Sequence, residues 1–99
     1  MVSVMHAKYT AEEGHNWIEE WKEATSLEVP SICPCCEQIP QNGNYFVGAH
    51  VILQDQLYLE TKRKFITPTC KRCNDTYKLG NASIRSFLVE DNYLWELDG

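Results

Sequence analysis

Four cysteines of this 99-residue chain form two C-x2-C pairs, Cys33 with Cys36 and Cys70 with Cys73. A short turn of this spacing presents two thiolates to one tetrahedral ion, and two such pairs complete the coordination of zinc. Because four sulfurs leave no open position, the pattern predicts one structural Zn²⁺ rather than a catalytic ion. In a chain this small, the free energy of binding that ion also stabilises the fold.

The fifth cysteine, Cys35, directly precedes Cys36. The interval from Cys33 to Cys35 is too tight for the usual knuckle, so we interpret Cys35 as a free thiol; ligation by His50 in place of one cysteine is an alternative. An odd number of cysteines fits a disulfide framework poorly, and the start of the chain lacks a signal-peptide pattern. These features favour metal ligation in a cytoplasmic protein over disulfides.

Charge is distributed unevenly along a chain whose net charge is −5. Residues 41–85 hold seven basic and three acidic side chains, a net +4, whereas both flanking segments are acidic. Two interpretations stay open for this basic region: a solvated face beside an anionic zinc–thiolate cluster, or a surface that binds nucleic-acid phosphates. The candidate phosphate contacts are Lys62, Arg63, Lys64, Lys71, Arg72 and Lys78.

The hydrophobic pattern predicts a single α+β domain over residues 1–99. An amphipathic helix is expected over residues 11–25, where a capping box of Thr10 and Glu13 precedes apolar residues at helical spacing. The stripe, which we expect to pack on the core, consists of Trp17, Ile18, Trp21 and Ala24. No run of 18 apolar residues occurs, so no membrane span is predicted.

Further elements follow from turn signals and β-rich segments. A turn is predicted at residues 41–44, before a strand over 45–53 and a second strand between 57 and 67. A helix is expected to begin at Cys70 behind a Thr69 cap and to end at Gly80 and Asn81. The region over residues 83–98 is expected to hold two short strands, at 84–88 and 93–97.

The order of knuckle, hairpin and ligand-bearing helix over residues 33–79 is the treble-clef arrangement. Within it, the segments GAHVI at 48–52 and ITPTCKRCN at 66–74 resemble the core of zinc-stabilised HNH endonucleases. The resemblance implies that His50 is the base that deprotonates water and that Asn74 binds a catalytic divalent ion.

Two positions depart from the HNH pattern. Ala49 stands where that family usually has a metal-binding carboxylate or histidine, and Phe65 stands where it has the asparagine that orients the base. A catalytic Mg²⁺ would then have one neutral amide ligand, which is poor for a hard cation. The resemblance therefore implies a degenerate HNH-like core.

Three functions are compatible with these features. The favoured one is a non-catalytic zinc-binding module that binds nucleic acid weakly. The second is an active metal-dependent nuclease that uses His50 as its base. The third is a protein-interaction adaptor that uses the acidic flanks and the helix bearing Trp17 and Trp21. The sequence leaves the oligomeric state open.

Overall fold

The computed structural model describes residues 1–7, 16–60, 62–77 and 84–97. Over these residues the chain is a small α+β domain built on one antiparallel sheet. The strands are β1 (Val2–His6), β2 (Phe46–Leu53), β3 (Lys64–Cys70), β4 (Ser86–Val89) and β5 (Trp95–Glu96), and the helices are α1 (Trp17–Thr25) and α2 (Lys71–Thr76). The strand order is β4-β1-β2-β3-β5. Neither α1 nor α2, nor any other helix in the described ranges, has the length and hydrophobicity needed to cross a membrane.

The β2–β3 hairpin is the centre of the sheet. The strand predicted at 45–53 is confirmed as β2, but β3 continues past the predicted limit to Cys70. This extension carries Pro68, which lies opposite Gly48 of β2. Pairing of β3 with β5 ends at Ile66, and beyond that point no strand of the described residues pairs with this side of β3. Proline is tolerated in such a half-paired strand.

The first strand, β1, has no counterpart among the predicted elements. It lies between β2 and β4 and pairs antiparallel with both. The two short strands predicted near the end are present as β4 and β5, but they occupy opposite edges of the sheet rather than pairing with each other. A short 3-10 helix at Asp91–Tyr93 lies between them.

Helix α1 packs on β2 and β3 through part of the predicted stripe: Trp21 is buried and Trp17 and Ile18 are partly buried, whereas Ala24 is exposed. Its N-cap is Asn16, whose side chain accepts a hydrogen bond from the Glu19 amide; the predicted cap at Thr10 and Glu13 lies outside the described residues. Gly48 allows the close approach, because a Cβ there would lie 2.5 Å from the Trp17 carbonyl carbon. Trp21 is fully buried, and its Nε1 donates to the Tyr93 carbonyl at 2.8 Å.

The main core and the cysteines form one cluster. Val4 from β1, Val51 from β2 and Phe87 from β4 are buried in the same group as four of the cysteine side chains. Phe65, which departs from the HNH pattern, also belongs to this cluster. Three of these cysteines, Cys33, Cys70 and Cys73, belong to the two C-x2-C pairs, and the fourth paired cysteine, Cys36, is partly buried against the cluster. A metal ion held by the two pairs would therefore crosslink the core.

Candidate metal centre

The thiols of the two C-x2-C pairs converge on one point. The sulfurs of Cys33, Cys36, Cys70 and Cys73 all lie within 4.8 Å of one another. The Sγ–Sγ distance is 4.0 Å from Cys33 to Cys73 and 3.9 Å from Cys36 to Cys70. A zinc ion with Zn–S bonds of about 2.3 Å separates its tetrahedral ligands by about 3.8 Å. All five cysteines are free thiols, and the four clustered sulfurs can hold a metal ion.

The first pair is presented by a tight turn over residues 33–37. The Cys33 carbonyl accepts a hydrogen bond from the Glu37 amide at 2.8 Å, and the Cys33 amide donates to the Gln38 carbonyl at 2.9 Å. Glu37 closes the turn with a φ of 59°. Such a left-handed conformation costs an ordinary residue about 1–2 kcal/mol, so the surrounding contacts must hold it.

The second pair sits at the junction of β3 and α2. Cys70 ends β3 and caps α2, and its sulfur accepts from the Cys73 amide at 3.5 Å. The Cys70 amide in turn donates to the Cys33 sulfur at 3.3 Å. The prediction that Thr69 caps this helix is wrong. Thr69 lies within β3, and its hydroxyl lies 3.1 Å from Nε2 of His6.

Asn44 supports the second pair from the turn before β2. Its Oδ1 accepts from the Arg72 amide at 3.1 Å, so it binds the first turn of α2. The predicted turn is confirmed: Asn42 and Gly43 both have positive φ, at 55° and 86°, and the Asn44 amide donates to the Gln41 carbonyl. The sequence pattern assigned Asn44 only to this turn. The position of the Asn-Gly turn directly before β2 was the one signal that could have indicated its contact with α2.

Burial and hydrogen bonding act on the thiols in opposite directions. Burial raises the pKa of Cys33 and the pKa of Cys73 above the usual thiol range. Burial also acts to raise the pKa of Cys70, but hydrogen bonds from Asn44 and from Cys73 outweigh it and hold that pKa at about 7. Metal binding must displace the protons of the ligand thiols, so the affinity for an ion falls as the pH falls.

Cys35 lies beside the cluster without belonging to the four-sulfur group. Its side chain is buried in the core, and burial raises its pKa to about 11. Its carbonyl accepts a hydrogen bond from Arg85 Nη1 at 3.3 Å. His50, the alternative ligand, is also not a member of the metal-capable group found among the described residues.

The HNH-like positions lie in different surroundings. His50 is only 6% exposed, and its ring makes an edge contact with Trp17 at a centroid distance of 4.8 Å. Ala49 is 1% exposed and belongs to the main core, because adjacent strand residues point to opposite faces of the sheet. Asn74, the other predicted catalytic residue, is partly exposed in α2 directly after Cys73.

Several predicted phosphate contacts are already paired with carboxylates. Arg63 makes two hydrogen bonds to Glu96, at 2.9 and 2.6 Å, and Lys71 Nζ lies 2.6 Å from Asp75. The Lys62 ammonium donates to the Leu59 carbonyl. Within the described ranges, Lys64 and Arg72 are exposed and have no carboxylate partner. Lys78 lies outside the described residues.

Comparison of the chain with protein-family models, with curated proteins and with solved structures finds no match. The class of this protein is therefore assigned from its fold and its sulfur geometry alone. The chain is a small α+β domain whose four-cysteine cluster can bind a metal ion.

Proposed function

We propose that this chain is a zinc-stabilised domain with a degenerate HNH-like treble clef, and that it binds a partner rather than catalysing a reaction. The observation that carries the metal assignment is the sulfur spacing of about 4 Å across two C-x2-C turns. Four thiolates favour zinc among common divalent ions and leave no position for a substrate. The ion would tie the knuckle and α2 to the central hairpin.

Metal analysis tests the assignment directly. Purified protein is expected to contain one zinc per chain, and a strong chelator is expected to remove the ion and the fold together. Co²⁺ substitution should produce the absorption of a tetrahedral tetrathiolate site. A metal-free protein whose circular dichroism spectrum does not change on adding a chelator would contradict the proposal.

The surroundings of His50 support a non-catalytic function. A general base must reach its water, but the His50 ring is buried against Trp17. Ala49 supplies no metal ligand, and its side chain is committed to the core. We expect no DNA cleavage with Mg²⁺ or Mn²⁺ above background. Cleavage by the wild type that is lost in His50→Ala but kept in a buried-site control, Thr67→Val, would establish the nuclease function instead.

Nucleic acid is the proposed partner, bound weakly. Lys64 lies at the start of β3 and Arg72 in the first turn of α2, and both are exposed. These two cations are the best placed to contact phosphate, because Arg63 and Lys71 already bind carboxylates. The net charge of −5 repels a polyanion at long range, so we expect dissociation constants on the order of micromolar or weaker.

Fluorescence anisotropy with labelled single- and double-stranded DNA and RNA tests this partner. Lys64→Ala with Arg72→Ala should weaken binding and lower the salt slope by about one unit for each contact removed. Arg63→Ala with Lys71→Ala is the matched control and should change binding less. No binding at low salt, or equal effects of both pairs, would contradict the proposed contacts.

A further inference from the structure

The two edges of the sheet are built differently. The β5 edge is two residues long, and its Glu96 is held by the two hydrogen bonds from Arg63. Short length and charge are common ways in which proteins prevent an edge strand from pairing with another chain. The β4 edge, Ser86–Val89, has no charged residue and no proline, and Leu88 is 55% exposed on it. By these criteria, β4 is the unprotected edge.

The two sides of β4 differ in their pairing. Its inner side pairs with β1 over all four residues. Among the described residues, no other strand pairs with β4. Two clefts border it, one of them with a volume of ≈ 140 Å³, and Ile32, Pro34 and Leu88 line both. Exposed apolar side chains therefore continue from the strand edge onto the adjacent loop that carries Ile32 and Pro34.

The charges that flank β4 are opposite in sign at its two ends, so they complement those of an antiparallel copy of the same strand. Arg85 precedes the strand, and Glu90 and Asp91 follow it. An antiparallel copy of the same strand would bring the basic end of one chain to the acidic end of the other at both ends of the contact. A two-fold interface has this self-complementarity by construction, because each residue's partner is repeated in reverse.

We propose that β4 pairs antiparallel with β4 of a second copy of this chain, forming a continuous ten-stranded sheet across a two-fold axis. The axis must be perpendicular to the sheet, so paired residues must lie on the same face. A register centred on Leu88 satisfies this condition. It places Leu88 opposite itself, Phe87 opposite Val89, and Arg85 opposite Asp91 of the second copy.

The contact is small, and association should be correspondingly weak. Both charged residues of the proposed pair already have contacts within their own chain. Arg85 donates a hydrogen bond to the Cys35 carbonyl and lies 4.9 Å from the Tyr77 ring centre. Asp91 lies 3.4 Å from the amino group of Met1. An interface of four strand residues and a few apolar neighbours falls below about 1,200 Å², the range of transient contacts. We expect a dissociation constant on the order of 100 µM.

Sedimentation velocity of the zinc-loaded chain from about 10 µM to about 1 mM tests the dimer. The wild type should shift from monomer to dimer over this range, and Leu88→Lys should remain monomeric. Tyr58→Lys is the matched control, since Tyr58 is 83% exposed and remote in sequence from β4, and it should dimerise like the wild type. Zinc content and circular dichroism identify any variant that fails to fold.

A charge exchange tests the orientation. Arg85→Glu alone and Asp91→Lys alone place like charges opposite each other at both ends and should each lose dimerisation. An equimolar mixture of the two variants restores an opposite-charge pair at both ends and should recover it. A misfolded variant would not be rescued in this way.

Three results would overturn the proposal. They are a wild type that stays monomeric up to about 1 mM, a dimer that survives Leu88→Lys, and a mixture of the charge variants that does not associate. The first would leave the open edge available to a strand from another protein. None of these results would bear on the metal site, so failure of the dimer can be distinguished from failure of the zinc assignment.

Discussion

The cysteine cluster includes Cys70 at the end of the β2–β3 hairpin, and His50 lies in the middle of the same hairpin, but the two regions have different surroundings. At the cluster, four thiols converge within 4.8 Å, and backbone amides donate to the sulfurs of Cys33 and Cys70. Around His50, neighbouring positions carry Gly48 and Ala49, and Trp17 of α1 packs over the ring. The comparison indicates that the hairpin contributes Cys70 to the metal-capable cluster where β3 ends, and packs α1 against the middle of β2.

The largest effect is expected from removing one of the four clustered cysteines. Cys33→Ser or Cys70→Ser should abolish zinc binding and unfold the domain. Structural zinc contributes about 10–16 kcal/mol in small zinc domains, which is comparable to the whole stability of such a chain. Zinc content and circular dichroism measure both effects. Cys35→Ser is the matched control and should keep the zinc, so loss of the metal in that variant would contradict the four-ligand assignment.

Acidification should release the metal steeply. Burial raises the pKa of Cys33 and of Cys73, so at neutral pH the ion must displace at least these two protons. The protonated form becomes more competitive as the pH falls, which weakens binding by about 100-fold per pH unit for two protons. Competition with a zinc-selective dye between pH 6 and 8 measures the slope. A slope near zero would show that the thiols are already ionised in the ion-free protein.

The packing side of the comparison can be tested at Gly48. Gly48→Ala places a Cβ 2.5 Å from the Trp17 carbonyl carbon, so α1 must move away from β2. We expect a loss of more than about 2 kcal/mol in the free energy of unfolding, with zinc retained. Gly43→Ala is the control: its Cβ would contact nothing within 4 Å, so the only expected cost is the strain of about 1–2 kcal/mol that a positive φ imposes on alanine. Equal losses in urea denaturation would contradict the close packing of α1.

A smaller effect is expected at Asn44, on the metal side. Asn44→Ala removes the hydrogen bond to the Arg72 amide and the one to Cys70. Residues that orient metal ligands without binding the metal typically contribute about 10- to 100-fold in affinity. We expect Asn44→Ala to weaken zinc binding by about 10-fold. Chelator competition measures the change. Gln41→Ala, in the same turn, should leave zinc affinity unchanged, because Gln41 is exposed and bonds Asn44 only through its backbone carbonyl.

The smallest effect is expected at the protected edge. Glu96→Gln weakens the pair with Arg63, which lies at the surface and is screened by water. The hydrogen bond from Arg63 lowers the pKa of Glu96, so its contribution to stability is present at neutral pH and is lost as the pH falls through that lowered pKa. Thermal unfolding of wild type and variant should differ slightly at pH 7 and converge at low pH.

Local patterns predicted most of the central hairpin and the four cysteines that cluster in the structure. The spacing of Cys33 and Cys36 predicts a turn if both sulfurs bind one ion, and the Asn42-Gly43 pair specifies its own turn through positive φ. Helix α1 followed from the periodicity of its tryptophans. Strand β1 could not be predicted in this way, because a segment of only five residues without regular alternation becomes a strand only when β2 and β4 supply partners on both sides.

The sequence by itself determined which residues can bind metal, because the side-chain chemistry and the two-residue spacing are local properties. Tertiary structure decided everything that depends on distant segments meeting. It set the two pairs about 4 Å apart, placed His50 beneath Trp17, and paired Arg63 with Glu96 across 33 positions of sequence. It also sent β4 and β5 to opposite edges, since hydrophobic pattern specifies which face of a strand is buried but not which neighbour it pairs with.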